Sequence, residues 1–322
     1  MTNIVVIGGG TGLSVLLRGI KSLFNVNITA VVSVADDGGS SGVLREDLGM
    51  LPPGDVRSCL LALANEEEGM RDLLAYRFSG GRLHDQNVGN IIIAAATEIY
   101  GNFEKGIEKI SDLLKVSGRV VPVCAEKMTL CAELENGNIV VGESAIPHVV
   151  RRENSPISGV FTAGGIAQLS DTARKAIRES DLVIIGPGSL YTSIIPNFLT
   201  NGLTEELIKR DVATIYIGNV MTQPYETSGL GVSDHIRVLR SYLEGVKIHC
   251  TIWNTMALEA DLLETYTLDG AGQLMPTEED RIYFEQENIE LITGNFIESY
   301  KGYVRHNAKA VAEAIACRFQ LT

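Results

Sequence analysis

No stretch of the 322 residues approaches the roughly 18 uninterrupted apolar residues that a membrane-spanning helix needs. The opening segment MTNIVVIGGG has no basic stretch, and its apolar run breaks at Gly8. Neither membrane insertion nor a secretory leader is expected, and the cytoplasm is the expected compartment. Cysteine is scarce as well: Cys59, Cys124, Cys131, Cys250 and Cys317 are odd in number and form no C-x-x-C pair. That argues against a disulfide framework or a zinc knuckle and for reduced, mostly buried thiols. Basic charge is also short, with 27 Lys and Arg against 40 Asp and Glu and a formal net charge of −13. Nucleic acid and anionic membrane surfaces need a basic face, so neither is expected as a main partner. A small anionic ligand is still open, because screening confines surface charge effects to about 8 Å. Internal repeats and low-complexity tracts are missing too.

What is present is 45% hydrophobic residues, enough to bury a large core as one α/β unit or as a domain carrying an inserted piece. Strand-length apolar runs alternate with helical patterns: NIVVI (3–7), a helix over about 13–23, then NITAVVSVA (27–35). DLVIIG (181–186), VATIYIGNV (212–220) and KIHCTIWN (247–254) are rich in β-branched residues, as strands covered on both faces should be. The expected fold is a Rossmann-like, doubly wound, mostly parallel sheet. Between these runs, residues 120–144 alternate in short segments around Asn136-Gly137, a strong hairpin signal. A small antiparallel β region is therefore expected as an insertion over about 119–162, with residues from about 265 to 322 closing the site.

In doubly wound folds ligands bind beyond the carboxyl ends of the strands, so the loops after each strand carry the functional signal. GGGTGLSVLLRG (8–19) follows the first strand, and its glycines allow close backbone approach to an anion at a helix N-terminus. It is not the dinucleotide fingerprint, since Leu13 stands where the third glycine belongs. VADDGGSSG (34–42) sets Asp36 and Asp37 at the tip of the second strand, before five small residues. Those acids suit a hard cation such as Mg²⁺, contacts to sugar hydroxyls, or plain turn formation. PPGDVRSC opens a helix with Asp55 and Arg57, while GPGSLYTSIIPNF (186–198) and NVMTQPYET (219–227) follow later strands. Four unusual loops at one sheet edge point to a composite site.

In this order, and with the late RHN (305–307), these motifs resemble the gluconeogenesis factor family, which shares the CofD-like superfamily with the 2-phospho-L-lactate transferases. The resemblance implies a cytoplasmic regulatory factor that binds UDP-sugars such as UDP-glucose or UDP-N-acetylglucosamine. It implies a role in cell shape and envelope synthesis during gluconeogenic growth, without a required cofactor. It places Gly9, Gly10, Thr11 and Gly12 near the nucleotide, Asp36 and Asp37 at the second strand tip, and Gly188, Ser189, Thr192 and Ser193 in a phosphate turn. Asn219, Met221, Thr222, Tyr266 and Arg305 complete the implied pocket. The partners it implies are the nucleotide-sugar, envelope-synthesis proteins and a homo-oligomer. An alternative is a Mg²⁺-dependent transferase using a nucleotide diphosphate-activated donor, with Asp36 and Asp37 as metal ligands or Asp37 as base. An NAD-dependent oxidoreductase rests only on the first βαβ unit. The chain departs from the family pattern at Gln86, where a histidine is usual, and at Tyr225, which replaces a glycine.

Overall fold

The computed structural model describes residues 1–65, 68–300 and 302–321. Seven parallel strands form the central sheet in the order β10-β9-β8-β7-β1-β2-β3. They are β1 (Thr2–Gly8), β2 (Val26–Val32), β3 (Arg119–Pro122), β7 (Leu182–Ile185), β8 (Ala213–Ile217), β9 (Cys250–Asn254) and β10 (Glu290–Gly294). Ile4, Val5, Val6 and Ile7 are each at most 1% exposed. Successive strand side chains point to opposite faces, so this unbroken burial shows that helices cover both sides. That is the α/β architecture the apolar runs predict.

Strand order reverses between β1 and β7: the chain winds from β1 through β2 to β3 in one direction, and from β7 through β8 and β9 to β10 in the other. The loops leaving β1 and β7 therefore diverge at the carboxyl edge and open a crevice between them. Helix α1 (Gly10–Ile20) leaves that crevice, followed by α2 (Gly39–Leu48) after β2 and then α3 (Gly54–Leu63).

The insertion is a three-stranded antiparallel sheet of β4 (Thr129–Leu134), β5 (Ile139–Val141) and β6 (Ile157–Ala163), with Asn136 and Gly137 in the β4–β5 turn. It starts later than the sequence suggests, because Arg119–Pro122 pairs in parallel with β2 at the edge of the main sheet. Toward the C-terminus, β11 (Ile297–Tyr300) and β12 (Tyr303–His306) form a hairpin that leads into a helix over Ala308–Phe319, which packs on α1. Four of the five cysteines are buried, Cys317 is exposed, and all are free.

Candidate functional site

Helix α1 starts directly on the glycine turn. Gly10 has φ +68°, a left-handed conformation that favours glycine. Two residues on, a Cβ at Gly12 would lie 2.6 Å from the Pro187 carbonyl oxygen, so the first turn of α1 packs backbone against backbone on the loop after β7. The result is a cleft of about 240 Å³ at the β1/β7 switch point. Its floor is Thr11, Gly12, Gly188 and Ser189; Asn219 and Met221 enter from the loop after β8, and Tyr266 and Arg305 from the C-terminal segment. Among the described residues lining it, Arg305 is the formally charged one, and no carboxylate is present.

Hydrogen bonds hold these walls together. Asn219 Nδ2 donates to the Gly188 carbonyl at 2.8 Å, and the Gly188 amide donates back to Asn219 Oδ1 at 3.3 Å. Gln223 Nε2 donates to Ser189 Oγ, and the Val304 amide donates to the Tyr266 hydroxyl at 2.9 Å. His306 sits beside Arg305, where burial holds its imidazole down at about 4. It is neutral near pH 7, and its Nε2 donates to the Gly218 carbonyl at 3.0 Å, leaving Nδ1 unprotonated.

The acids of the second strand tip lie on the other side of the glycine turn. A Cβ on Gly9 would lie 2.7 Å from Asp55 Oδ2, and the Gly10 amide donates to the Asp55 carboxylate. Burial first, then the neighbouring Asp36, pushes the Asp55 carboxyl up to about 7. Glu143, from the insertion, is pushed up to about 8 by burial and then by Asp36, Asp37, Asp55 and Glu226. Glu226 is only 6% exposed and rises to about 7 through burial alone. Crowded, poorly solvated carboxylates of this kind hold their protons because several adjacent negative charges are costly. Arg57 opposes them from within the same cluster, its own pKa lowered chiefly by burial.

The structure divides the residues singled out in the sequence. Thr11, Gly12, Gly188, Ser189, Asn219, Met221, Tyr266 and Arg305 converge on the cleft. Gly9 and Gly10 form the wall between the cleft and the acids. Asp36 Oδ1 accepts the Gly38 amide at 2.9 Å. Asp37 has both carboxylate oxygens engaged by the insertion, accepting the Ser144 amide at 2.8 Å and the Glu143 amide at 3.0 Å. Thr192 and Ser193 belong to a π-helical turn over Leu190–Ile194, with Thr192 buried. Thr222 latches a turn, exchanging hydrogen bonds with the Gly272 backbone. Gln86 Oε1 accepts from Ser40 Oγ at 3.0 Å near the start of α2. Tyr225 adopts φ +69° with its ring under the Arg151 guanidinium, 5.2 Å from the ring centroid.

Sequence reasoning did not single out Gln223, His306, Glu143 or Glu226. Gln223, His306 and Glu226 lie inside quoted motifs, where position along the loop was the available signal. Glu143 carried none, since more than eighty residues separate it from each of the acids it joins. Among the described residues, no group of three or more His, Cys, Asp and Glu side chains is arranged to hold a metal. No helix among them is long and apolar enough to cross a membrane.

A family model for 2-phospho-L-lactate transferase CofD matches residues 4–297. A protein of Clostridium acetobutylicum is 43% identical over 312 residues, covering 97% of this chain and 68% of that one. The gluconeogenesis factor of Bacillus subtilis is 41% identical over 314 residues, covering 97% of this chain and 96% of the relative. A crystal structure of a UPF0052 family member from Bacillus halodurans superposes with a TM-score of 0.92 at 38% identity, covering 98% of this chain and 99% of that one.

Proposed function

The chain belongs to the 2-phospho-L-lactate transferase CofD family, among its gluconeogenesis factors, and from that premise we propose that it is a regulatory factor that binds UDP-sugars. The observation that carries this reading is the charge of the cleft. In a chain of net charge −13, the switch-point crevice is walled by backbone, hydroxyls, one amide pair and a single guanidinium, with no carboxylate among its described lining. A diphosphate suits that lining, because the free amides at the start of α1 and the Arg305 fork both favour anions. Tyr266 offers a ring on which a uracil can stack. In this reading the factor reports nucleotide-sugar supply to envelope-synthesis proteins and so affects cell shape during gluconeogenic growth.

A second reading has one observation in its favour. Asp55 holds a proton near neutrality beside the glycine turn, and Glu143 does so within the same cluster of acids, as general acid–base chemistry requires. A phosphorus-group transferase using a nucleotide diphosphate-activated donor would use such groups. Mg²⁺ needs only one or two carboxylates when ligand phosphates and water complete its shell. Asp36 would supply one, leaving Asp55 to hold its proton, and the ion would neutralise the phosphates; Asp37 is already engaged by two amides.

A thermal-shift screen over UDP, UDP-glucose, UDP-N-acetylglucosamine, GDP and NAD, with and without Mg²⁺, tests both. A UDP-sugar at 100 times its dissociation constant is expected to stabilise the fold by about 2.7 kcal/mol. Stabilisation by GDP only with Mg²⁺ would favour the transferase. Stabilisation by NAD alone would overturn both readings.

A further inference from the structure

The switch-point cleft does not end at Arg305. A basin of about 700 Å³ continues from it along α1, sharing Thr11, Val15 and Arg305 with the cleft. Thr11, Val15 and Arg18 stand at i, i+4 and i+7, so they form one stripe on the helix, and Arg18 is roughly 10 Å from Thr11 along the axis. The far side is set by the C-terminal helix, which crosses α1 at Gly19, where a Cβ would collide with the Ala308 carbonyl. This crossing brings Lys309 to the basin.

The charges there run against the molecule as a whole. Among the described residues, Arg18, Arg305 and Lys309 line the basin with Glu298 as its one carboxylate. Among the described residues, neither Arg18 nor Arg305 sits in an ion pair. Among them, Lys309 pairs only with the exposed Glu313, at 3.8 Å. Glu298 lies opposite Arg305 in the β11–β12 register and balances one of the three cations, leaving two. A guanidinium without a carboxylate, one side-chain reach beyond a diphosphate cleft, is suited to a charged group on the same ligand.

We propose that this basin receives a carboxylate carried by the sugar of the bound nucleotide, so that the preferred ligands are nucleoside diphosphates of acidic sugars. The inference rests on the UDP-sugar reading and specifies its substrate class. Arg18 is the selecting residue, Lys309 adds to the local potential, and Arg305 bridges cleft and basin.

Titration calorimetry of the full chain with UDP-glucose and UDP-glucuronate tests it, since the two differ in whether the sugar carries a carboxylate. UDP-glucuronate is expected to bind about tenfold more tightly at low salt, as one charge-assisted contact allows, with the preference shrinking as salt is raised. In Arg18→Gln the preference should vanish while UDP-glucose affinity holds, and Arg18→Lys should retain most of it. Arg18 is exposed, so these variants are expected to keep the wild-type melting temperature. UDP-glucose binding with no preference for the acidic sugar, or a preference that survives Arg18→Gln, overturns the inference alone. Binding of neither nucleotide overturns it together with the UDP-sugar reading.

Discussion

Tyr266 and Arg305 enter the cleft from the same C-terminal segment, but one presents a flat ring and the other a charge. Base stacking on an aromatic ring is worth about 1–3 kcal/mol, so Tyr266→Ala should weaken uridine, UDP and UDP-sugars by that amount with little change in salt dependence. Because the Tyr266 hydroxyl also accepts the Val304 amide, Tyr266→Phe separates the two roles: affinity should hold while the melting temperature falls. Arg305→Ala should instead flatten the salt dependence of UDP binding and spare uridine. Calorimetric titration at two salt concentrations checks both, and an equal loss for uridine and UDP in Arg305→Ala would contradict the assignment. Residue by residue, the site was legible where a loop motif also faces the cleft. It was not legible where a motif residue turned to other work. Asp37 reads in sequence as a metal or hydroxyl ligand, yet both its oxygens anchor the insertion through amides that no local pattern announces.

At the level of elements, the meeting of α1 with the loop after β7 defines the cleft, and it depends on Gly12. Its missing Cβ would lie 2.6 Å from the Pro187 oxygen and 3.2 Å from the Gly188 nitrogen, both backbone atoms that cannot swing aside. Gly12→Ala must therefore push the helix and the loop apart. Overpacking of this kind costs about 1–3 kcal/mol, and because it widens the crevice itself, UDP-sugar affinity should fall at least as far as stability. Urea denaturation and ligand titration on the same variant measure the two together; wild-type affinity would show that the cleft tolerates the shift. The strands of the sheet interior were readable because burial on both faces forces continuous β-branched runs. Its edges were not. In β10 every residue is at least partly accessible and the run is broken by Glu290 and Thr293, while β3 is only four residues long and adjoins the insertion, whose style it shares.

For the whole molecule, the acid cluster sets a pH dependence opposite to that of most acidic proteins. Asp55, Glu143 and Glu226 have folded-state values of about 7, 8 and 7, well above the roughly 4 of an unfolded carboxyl. The folded chain thus binds more protons than the unfolded one, and the stability these groups contribute is full at low pH and lost as pH rises through 7 to 8. Two sets of groups act the other way at lower pH. His306, held at about 4, and His235, lowered by burial, destabilise the fold as pH falls below the ordinary histidine range. Glu206, held at about 2 by Arg178 and Arg174, does so as pH falls further. Above about pH 6.5 Glu206 no longer titrates in either state, and the unfolded histidines release only their remaining protons, up to about pH 7.5, which offsets the cluster by less than about 1 kcal/mol and leaves it in control. Stability in metal-free buffer should therefore decline by on the order of 2 kcal/mol between pH 6.5 and 8.5, seen in scanning calorimetry as a melting temperature lower by several degrees. Glu143→Gln and Glu226→Gln each remove a carboxylate that must otherwise ionise in a crowded site, so each should flatten the decline and raise stability at pH 8.5. A wild-type melting temperature that is level or rising across this range would mean that the carboxylates ionise freely, and the protons assigned to the cluster would have to be withdrawn.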